Sequence, residues 1–282
     1  MTHGPADIRS LLAEHDLRPS RALGQNFVAD GNTVRRIVRL AGVDAGSRVL
    51  EIGAGLGSLT LALAESGAEV TAVEIDTHVL PVLRAQVEPH GVTVVEADAL
   101  RLDWDRLLGE PDPGRPWTLV ANLPYNVATP LLVRVLEEAP QVGTVLVMVQ
   151  REVGERLAAG AGDDAYGAVS VKVAYWADAS VVGRVPATVF IPRPKVESVL
   201  VRMVRRPRPA GAAGDVAYDR LFTVVRAGFG QRRKMLRRSL DGVVPPGAFE
   251  GTGIPSTARA EELGLEEWGR LASWAPGPDG AR

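Results

Sequence analysis

The sequence has 282 residues, of which 46% are hydrophobic and 23% charged, and its formal net charge is −2. These are the proportions of an ordinary soluble globular protein with enough chain for a sizeable core. It contains no cysteine and its four histidines lack metal-ligand spacing, so disulfides, thiol catalysis and a metal site are not expected.

The N-terminal segment MTHGPADIRSLLAEHD has neither the apolar core nor the cleavage site of a signal peptide. The longest strongly apolar run, VGTVLVMV at 142–149, is too short to span a membrane and suits a buried strand. We therefore expect a cytoplasmic protein with no membrane partner, and we expect it to be a monomer.

Short apolar segments rich in β-branched residues alternate with helix-like segments from about residue 34 to residue 205. This alternation is typical of βαβ units, and it predicts an α/β fold: a Rossmann-like, mostly parallel sheet covered by helices. Two of the later strands lack a helix between them and predict an antiparallel edge. The predicted strands are 48–53, 69–75, 92–97, 117–122, 144–150, 179–186 and 197–204.

The segment PRPAGAAGD at 207–215 is rich in proline, glycine and alanine, which is typical of a linker. It divides the chain into a predicted α/β domain at 1–206, with an N-terminal helical extension, and a small helical domain at 216–282.

The first predicted strand runs into the glycine loop Gly53-Ala54-Gly55-Leu56-Gly57, which precedes a helix. Glycine lets a backbone turn tightly and approach a ligand closely. The spacing of the three glycines does not match the G-x-G-x-x-G pattern of dinucleotide sites. Alone, such a loop is compatible with several cofactors or with a simple tight turn.

The next two predicted strands end at Glu74 and Asp98. Carboxylates at these places can accept hydrogen bonds from ribose hydroxyls and from an adenine amino group. Singly, Asp98 is equally well explained as a helix cap, and Glu74 as a solvated edge residue. Because ligands of open α/β sheets lie at the carboxyl ends of strands, the loop and the two acids together predict a nucleoside cofactor.

The fourth predicted strand ends on Asn122-Leu123-Pro124-Tyr125, at the same edge of the sheet. An exocyclic amine of adenine is a poor nucleophile, because its lone pair is delocalised into the ring. Two acceptors for its N–H groups, the Asn122 side-chain oxygen and a neighbouring main-chain carbonyl, favour a more pyramidal and reactive nitrogen. Pro124 fixes the turn, and Tyr125 offers a face on which a flipped-out base can stack. The alternative is an ordinary turn in which Tyr125 fills a gap.

These residues resemble those of an amino-directed adenine N6-methyltransferase, and more narrowly those of the KsgA (RsmA) family of small-subunit rRNA adenine dimethyltransferases. The matching stretches occur in order over about 220 residues: LGQNFV (23–28), VLEIGAGLGSLT (49–60), VEID (73–76), ADAL (97–100), NLPYN (122–126), MVQREVGERL (148–157), YGAVSVKV (166–173), VFIPRPKVESVLVRM (189–203) and AGFGQRRKMLRRSL (227–240).

The resemblance implies a class I methyltransferase domain, S-adenosylmethionine as methyl donor, and 16S rRNA of the assembling small ribosomal subunit as substrate. Two adjacent adenines in a hairpin loop near the 3′ end would each be dimethylated at N6. Asn122 to Tyr125 would hold the target amine, and Phe190 would stack on the other face of the base. The implied cofactor contacts are Asn26, Val28, Gly53, Gly55, Gly57, Glu74, Asp98 and Asn122.

The C-terminal part of the chain contains a strongly basic segment. Residues 202–238 carry a net charge of +9, whereas residues 49–110 carry −8. Like charges four positions apart on a helix repel, so this segment favours a phosphate partner and predicts an RNA-binding surface. The alternative is a solvated surface that balances the acidic segment. Five charges fall within about two turns of a predicted helix: Arg232, Arg233, Lys234, Arg237 and Arg238.

Three other functions are compatible with parts of this pattern. An Erm-type dimethyltransferase of large-subunit rRNA shares NLPYN, although VFIPRPKVES and GQRRKMLRRSL favour the small-subunit enzyme. A non-catalytic ribosome-assembly factor on the same fold is disfavoured by the intact cofactor motifs. An NAD-dependent oxidoreductase is disfavoured by the G-x-G-x-G spacing and by the lack of a residue suited to proton relay.

Overall fold

The computed structural model describes residues 2–20, 22–124, 127–208 and 216–274. The described residues form two compact units. The first combines Met1–Gly154 with Ser180–Arg205, and the second combines Glu155–Ala179 with Arg206–Arg282. Within the described ranges, no helix is long and apolar enough to cross a membrane.

The strands of the described residues are β1 (Phe27–Val28), β2 (Arg48–Ile52), β3 (Glu69–Glu74), β4 (Thr93–Glu96), β5 (Trp117–Asn122), β6 (Val142–Gln150), β7 (Ala177–Val185), β8 (Phe190–Ile191) and β9 (Ser198–Arg205). They follow the predicted segments closely, apart from the two-residue strands β1 and β8, which the sequence does not predict. Seven of the strands form one sheet in the order β4-β3-β2-β5-β6-β9-β7. The pairs among β2 to β6 are parallel, and β9 is antiparallel to β6. The predicted α/β class, a mostly parallel Rossmann-like sheet with antiparallel pairing at one side, is confirmed.

The helices are α1 (Pro5–Glu14), α2 (Gly31–Ala41), α3 (Ser58–Glu65), α4 (Leu80–Val87), α5 (Trp104–Leu108), α6 (Ala128–Glu138), α7 (Arg151–Ala158), α8 (Ala168–Trp176), α9 (Tyr218–Gly230), α10 (Leu236–Ser239), α11 (Gly247–Thr252) and α12 (Leu265–Ser273). Some of them begin where the sequence supplies a cap. The Asp30 side chain accepts a hydrogen bond from the Thr33 amide at the start of α2. This satisfies an amide donor that has no hydrogen-bond partner within the helix.

The central strands are buried on both faces, which explains their nearly continuous apolar sequence. In the sheet, β2 lies between β3 and β5, so the order of strands reverses there. A crevice forms outside the carboxyl ends of the strands at such a reversal, and ligands of open α/β sheets bind in it. Fully buried residues of these strands include Val49, Leu50, Leu119, Val120 and Leu146.

A separate two-stranded sheet joins β1 to β8. The two strands are antiparallel, with Phe27 opposite Ile191 and Val28 opposite Phe190. Each strand has only two residues, so periodicity in the sequence cannot reveal it. The pairing holds the motifs LGQNFV and VFIPRPKV side by side.

The second unit is helical, and its core gathers side chains from α8, α9 and α12. Trp268 of α12 is fully buried, and a Cβ on Gly228 of α9 would lie 2.5 Å from its ring. This close approach of α9 to α12 therefore requires glycine at position 228.

The division into units differs from the predicted boundaries in the segment 155–179. Val171 and Tyr175 of α8 belong to the apolar cluster of the C-terminal helices, so α8 is part of the second unit. The predicted linker at 207–215 lies mostly outside the described residues, which omit 209–215.

Candidate active site

One cavity of the first unit lies at the carboxyl ends of β2, β3 and β5, beside the loop that precedes β1. The fold therefore brings together residues that the sequence keeps far apart. Gly57 is not among the lining residues, and Tyr125 lies outside the described residues. The predicted site residues that line the cavity are Asn26, Val28, Gly53, Gly55, Glu74, Asp98, Asn122, Leu123, Pro124 and Phe190.

The glycine loop after β2 has a backbone that glycine adopts most readily. Gly53 and Gly55 have φ values of 75° and 58°, in the left-handed region. The Gly53 amide donates to the Val73 carbonyl at 2.8 Å, which holds the loop against β3. A Cβ on Gly55 would lie 2.9 Å from the Phe27 ring, so the loop packs against β1 without room for a side chain.

Gly57 has a different reason to be glycine. It is the N-cap of α3 with a φ of 85°, and a Cβ there would lie 2.8 Å from Val87 Cγ1 of α4. The structure thus assigns Gly57 to a turn and to helix packing, and it does not place this residue with the predicted cofactor contacts.

Glu74, at the end of β3, is buried and accepts three hydrogen bonds from main-chain amides. Its Oε2 accepts from Gly55 at 2.8 Å, and its Oε1 accepts from Ile75 at 2.9 Å and from Asp76 at 3.0 Å. Burial raises the pKa of Glu74, and the three amide hydrogen bonds oppose that rise. Glu74 therefore shapes the glycine loop as well as lining the cavity, so it is not a solvated edge residue.

Asp98 follows β4 and both caps a turn and lines the cavity. Its Oδ1 accepts from the Leu100 amide at 2.9 Å, at the start of the 3-10 turn Ala99–Arg101. The cap that the sequence suggests is therefore present. An ionised carboxylate has about four acceptor positions, so this cap leaves capacity for a ligand.

The side chain of Asn122 joins the end of β5 to the loop before β1. Its Nδ2 donates to the Asn26 main-chain carbonyl at 2.9 Å, and Asn26 Nδ2 donates to the Gly24 carbonyl at 3.0 Å. The first hydrogen bond assigns the Asn122 amide nitrogen to the protein. The amide oxygen is then the acceptor that Asn122 offers to a ligand.

The turn after Asn122 is anchored to both neighbouring elements. The Leu123 amide donates to the Met148 carbonyl of β6 at 3.1 Å. The Pro124 carbonyl accepts from the Ala128 amide at the start of α6, also at 3.1 Å. These hydrogen bonds fix the main chain beside the Asn122 side chain.

Phe190 lies in the cavity wall although only 4% of its surface is exposed. The pairing of β8 with β1 sets it opposite Val28, which lines the same cavity. Its burial is typical of a core aromatic residue, and its place in the wall is compatible with the stacking role that the family resemblance implies.

Glu51 of β2 is a lining residue without a predicted role. It is 1% exposed, and its Oε2 has no hydrogen-bond partner among the described residues. Burial raises the pKa of Glu51 to about 8; the Thr60 hydroxyl opposes this rise and nearby Glu74 adds to it. An acid within the apolar strand VLEI is the sequence signal that points to this residue.

Ile75 and Gln25 also line the cavity without having been predicted to do so. Ile75 is 47% exposed and offers an apolar surface beside Glu74. Gln25 Nε2 donates to Asp76 Oδ2, two residues after the end of β3. Gln25 carries no sequence signal of its own, because its role depends on a contact made across the fold. Ile75 is the last residue of the predicted strand 69–75 and lies at the same edge as Glu74. In the parts of the chain that the structure describes, no cluster of potential metal ligands is found.

The basic segment differs from its prediction in secondary structure. Only Leu236–Ser239 is helical, and residues 232–234 form a turn and a bend, so the five charges do not share a two-turn helix. The predicted repulsion between residues four apart on one helix does not apply. The five side chains are nevertheless all exposed: Arg232, Arg233, Lys234, Arg237 and Arg238.

Arg232 is engaged within the second unit, so an acid lies beside one of the five charges. Its Nε contacts Glu261 Oε2 at 2.7 Å, and its Nη2 donates to the Asp164 carbonyl at 2.9 Å. Among the described residues, no ion-pair partner is found for the other four side chains, which are Arg233, Lys234, Arg237 and Arg238.

Comparison with known proteins identifies the family. A sequence profile described as "Ribosomal RNA adenine dimethylase" matches residues 17–276, which is nearly the whole chain. The chain belongs to this family. The predicted family and enzyme class, an rRNA adenine dimethyltransferase, are confirmed.

Relatives of this dimethylase are identical to it at nearly half of the aligned positions. Ribosomal RNA small subunit methyltransferase A of Bifidobacterium adolescentis is 47% identical over 281 residues, which cover 95% of this chain and 92% of the relative. The protein of the same name from Thermobifida fusca is 46% identical over 283 residues, which cover 96% of each chain.

Two solved structures resemble the dimethylase fold. The 23S rRNA methyltransferase ErmE superposes with a TM-score of 0.67 at 28% identity, covering 88% of this chain and 98% of its own. A dimethyladenosine transferase from Plasmodium falciparum superposes with a TM-score of 0.71 at 23% identity, covering 86% and 94%. The second likeness supports the fold alone. The small-subunit relatives are thus much more similar in sequence than this Erm-type enzyme.

Proposed function

We propose that this rRNA adenine dimethyltransferase acts on the small ribosomal subunit during its assembly. Its targets are two adjacent adenines in a hairpin loop near the 3′ end of 16S rRNA, and each receives two methyl groups at N6 from S-adenosylmethionine. The choice of subunit is supported by the names of relatives that are 46% and 47% identical over nearly the whole chain.

The observation that carries the proposal is the convergence of the glycine loop, two strand-end carboxylates and the Asn122 turn on one cavity. The cavity fits a nucleoside with an amino-acid tail, because bare backbone permits close approach and the carboxylates supply acceptors. A Cβ on Gly53 would lie 3.7 Å from the Asn122 carbonyl. A larger side chain there would therefore enter the space between the glycine loop and the Asn122 turn.

In this assignment, S-adenosylmethionine supplies a methyl group on a sulfonium, which a neutral amine can attack without a strong base. Glu74 would accept from the ribose hydroxyls of the cofactor, and Asp98 from its adenine amino group. The backbone at Gly53 and Gly55 would leave room for the methionine part. Asn26 and Val28 would complete the wall.

The target adenine would be held by the end of β5. The Asn122 side-chain oxygen and the Leu123 carbonyl would accept from the two N–H groups of N6, which favours a pyramidal nitrogen. Phe190 and Tyr125 would stack on the two faces of the flipped base. Orientation and preorganised dipoles would then supply most of the rate enhancement.

The basic segment would dock the RNA through its phosphates. The four exposed charges without an ion pair among the described residues are the best candidates, namely Arg233, Lys234, Arg237 and Arg238. Arg232 contributes less in this scheme, because Glu261 already neutralises it. Phosphate contacts carry little sequence information, so selection of the target would depend on RNA shape and on the flipped base.

The choice of subunit is tested by methylation of isolated ribosomal particles. Small and large subunits from a strain that lacks these modifications are incubated separately with the protein and methyl-labelled S-adenosylmethionine. We expect label in 16S rRNA of the small subunits. Label confined to large subunits would support the Erm-type alternative, and label in neither would support a non-catalytic factor; either result would overturn the proposal.

A further inference from the structure

We propose that Gln25 and Asp76 are positioning residues, which orient Asn122 for methyl transfer through the main chain of Asn26. The inference rests on the proposed role of Asn122 in holding the target amine. It extends that site to two residues that the predicted set of site residues does not include.

Asp76 fixes the side chain of Gln25 across segments that are distant in sequence. Gln25 Nε2 donates to Asp76 Oδ2 at 2.7 Å, and the Asp76 side chain is only 11% exposed. The other end of the same amide is also engaged, because Gln25 Oε1 accepts from the Ser20 amide at 2.7 Å. Both polar atoms of the side chain therefore restrain the backbone at position 25.

Asp76 is itself anchored just after the end of β3. Its Oδ1 accepts from the His78 amide at 3.0 Å, and its own amide donates to Glu74 Oε1 at 3.0 Å. Burial alone would raise the pKa of Asp76, but hydrogen bonds from Gln25 and His78 lower it. An ionised acceptor makes the hydrogen bond from Gln25 a charge-assisted one, which is stronger than a neutral hydrogen bond.

Asn26 transmits this restraint to the end of β5. It follows Gln25 directly, and its carbonyl accepts from Asn122 Nδ2 at 2.9 Å. A side-chain amide can flip, and only one of its two orientations presents oxygen to an incoming N–H group. The Asn26 carbonyl selects that orientation by binding the nitrogen. Displacing the carbonyl frees Asn122 to rotate, and misplacing a group that contacts the reacting atoms slows a reaction by up to about a hundredfold.

An exchange of donor and acceptor tests the inference without removing side-chain volume. Gln25→Glu faces Asp76 with a second carboxylate, whereas Gln25→Glu combined with Asp76→Asn restores a hydrogen bond in the opposite direction. We expect the single variant to lower the single-turnover methylation rate, at saturating cofactor and RNA, by about tenfold or more. The exchanged pair should return to within a few-fold of the wild-type rate. Gln86→Glu on α4 is the matched control and should leave the rate unchanged.

The same change in an Asn122→Ala background separates positioning from a general structural effect. There Gln25→Glu should add little further slowing, because the side chain through which it acts is gone. Equal slowing in both backgrounds, no recovery by the exchanged pair, or no effect of Gln25→Glu on the wild type would overturn the inference. If Asn122→Ala slows the reaction while Gln25→Glu does not, this inference alone fails. If Asn122→Ala does not slow it, the proposed amine-holding role fails first and this inference fails with it.

Discussion

Glu74 Oε2 accepts a hydrogen bond from the Gly55 amide at 2.8 Å, which ties the end of β3 to the glycine loop after β2. The two residues belong to separate motifs of the sequence, and each is predicted to contact a nucleoside cofactor. Here one carboxylate both lines the cavity and holds the loop beside it. A change at Glu74 should therefore affect the whole cofactor site rather than one contact.

Glu74→Gln is expected to weaken binding of S-adenosylmethionine by roughly 1.5–3 kcal/mol, the range for hydrogen bonds to charged groups. Glutamine has nearly the same volume as glutamate. Because both oxygens of Glu74 accept hydrogen bonds from main-chain amides, the NH2 group of glutamine must place its own donors against an amide donor in either orientation. Isothermal titration calorimetry measures the affinity. Glu96→Gln, at the exposed end of β4, is the control and should bind as the wild type does. Equal affinities for Glu74→Gln and the wild type would refute the assignment.

Asn122→Ala should slow methyl transfer by about a hundredfold, the usual cost of losing a preorganised polar group that acts most strongly in the transition state. RNA affinity should change only a few-fold, because the phosphate contacts are untouched. Single-turnover kinetics at saturating cofactor, together with filter binding, separates the two effects. A near-normal rate would show that Asn122 does not hold the target amine.

Glu51 predicts a pH dependence of stability. Its pKa is about 8 in the folded protein against 4.5 for the ordinary side chain. Between these values the folded state keeps a proton that the unfolded state has lost, so the free energy of unfolding falls as pH rises. Glu51→Gln has no such proton to lose. The free energy of unfolding of this variant, relative to that of the wild type, should therefore rise by about 1.4 kcal/mol per pH unit in that window.

Urea unfolding at several pH values in the same window measures the effect of Glu51→Gln. The control is Glu110→Gln, an exposed acid whose replacement should leave the pH dependence of the wild type unchanged. Parallel stability curves for the wild type and Glu51→Gln would mean that Glu51 is ionised in the folded protein.

The basic segment is tested by the salt dependence of RNA binding. Replacing Arg233, Lys234 and Arg237 with alanine should weaken binding and flatten the log–log salt dependence by up to about 0.7–0.9 per lost phosphate contact. Cofactor affinity should persist. A control with three charges removed from the first unit, Arg84, Arg106 and Arg115, should keep the wild-type slope. An unchanged slope in the first variant would leave this segment as a solvated surface.

The sheet and its carboxyl edge are predictable from the sequence, because buried parallel strands leave long apolar runs and a ligand edge leaves polar residues where they end. Glu74, Asp98 and Asn122 follow from that rule alone. Gln25 and Phe190 do not, since their places depend on the loop before β1 and on the pairing of β1 with β8. For Phe190 only the family resemblance supplies a role.

In the basic segment, the sequence predicts a two-turn helix that is not found among the described residues. Its charges favour a phosphate partner, but the helix assumed for them is absent between residues 232 and 235, where Met235 instead pairs with Arg259 in an isolated bridge. Charge spacing alone does not establish helical geometry. The contact of Arg232 with Glu261 likewise joins segments that no local pattern connects.

The proposed targets of this dimethylase are two adjacent adenines near the 3′ end of 16S rRNA. Reverse transcription locates the modified bases, because dimethylation removes the N6–H donors used in base pairing and so stops the reverse transcriptase. Unmethylated small subunits treated with the protein and S-adenosylmethionine should show a new stop at those adenines, and subunits treated with the Asn122→Ala variant should not. A stop at another position, or none with the wild-type protein, would show that these adenines are not its targets.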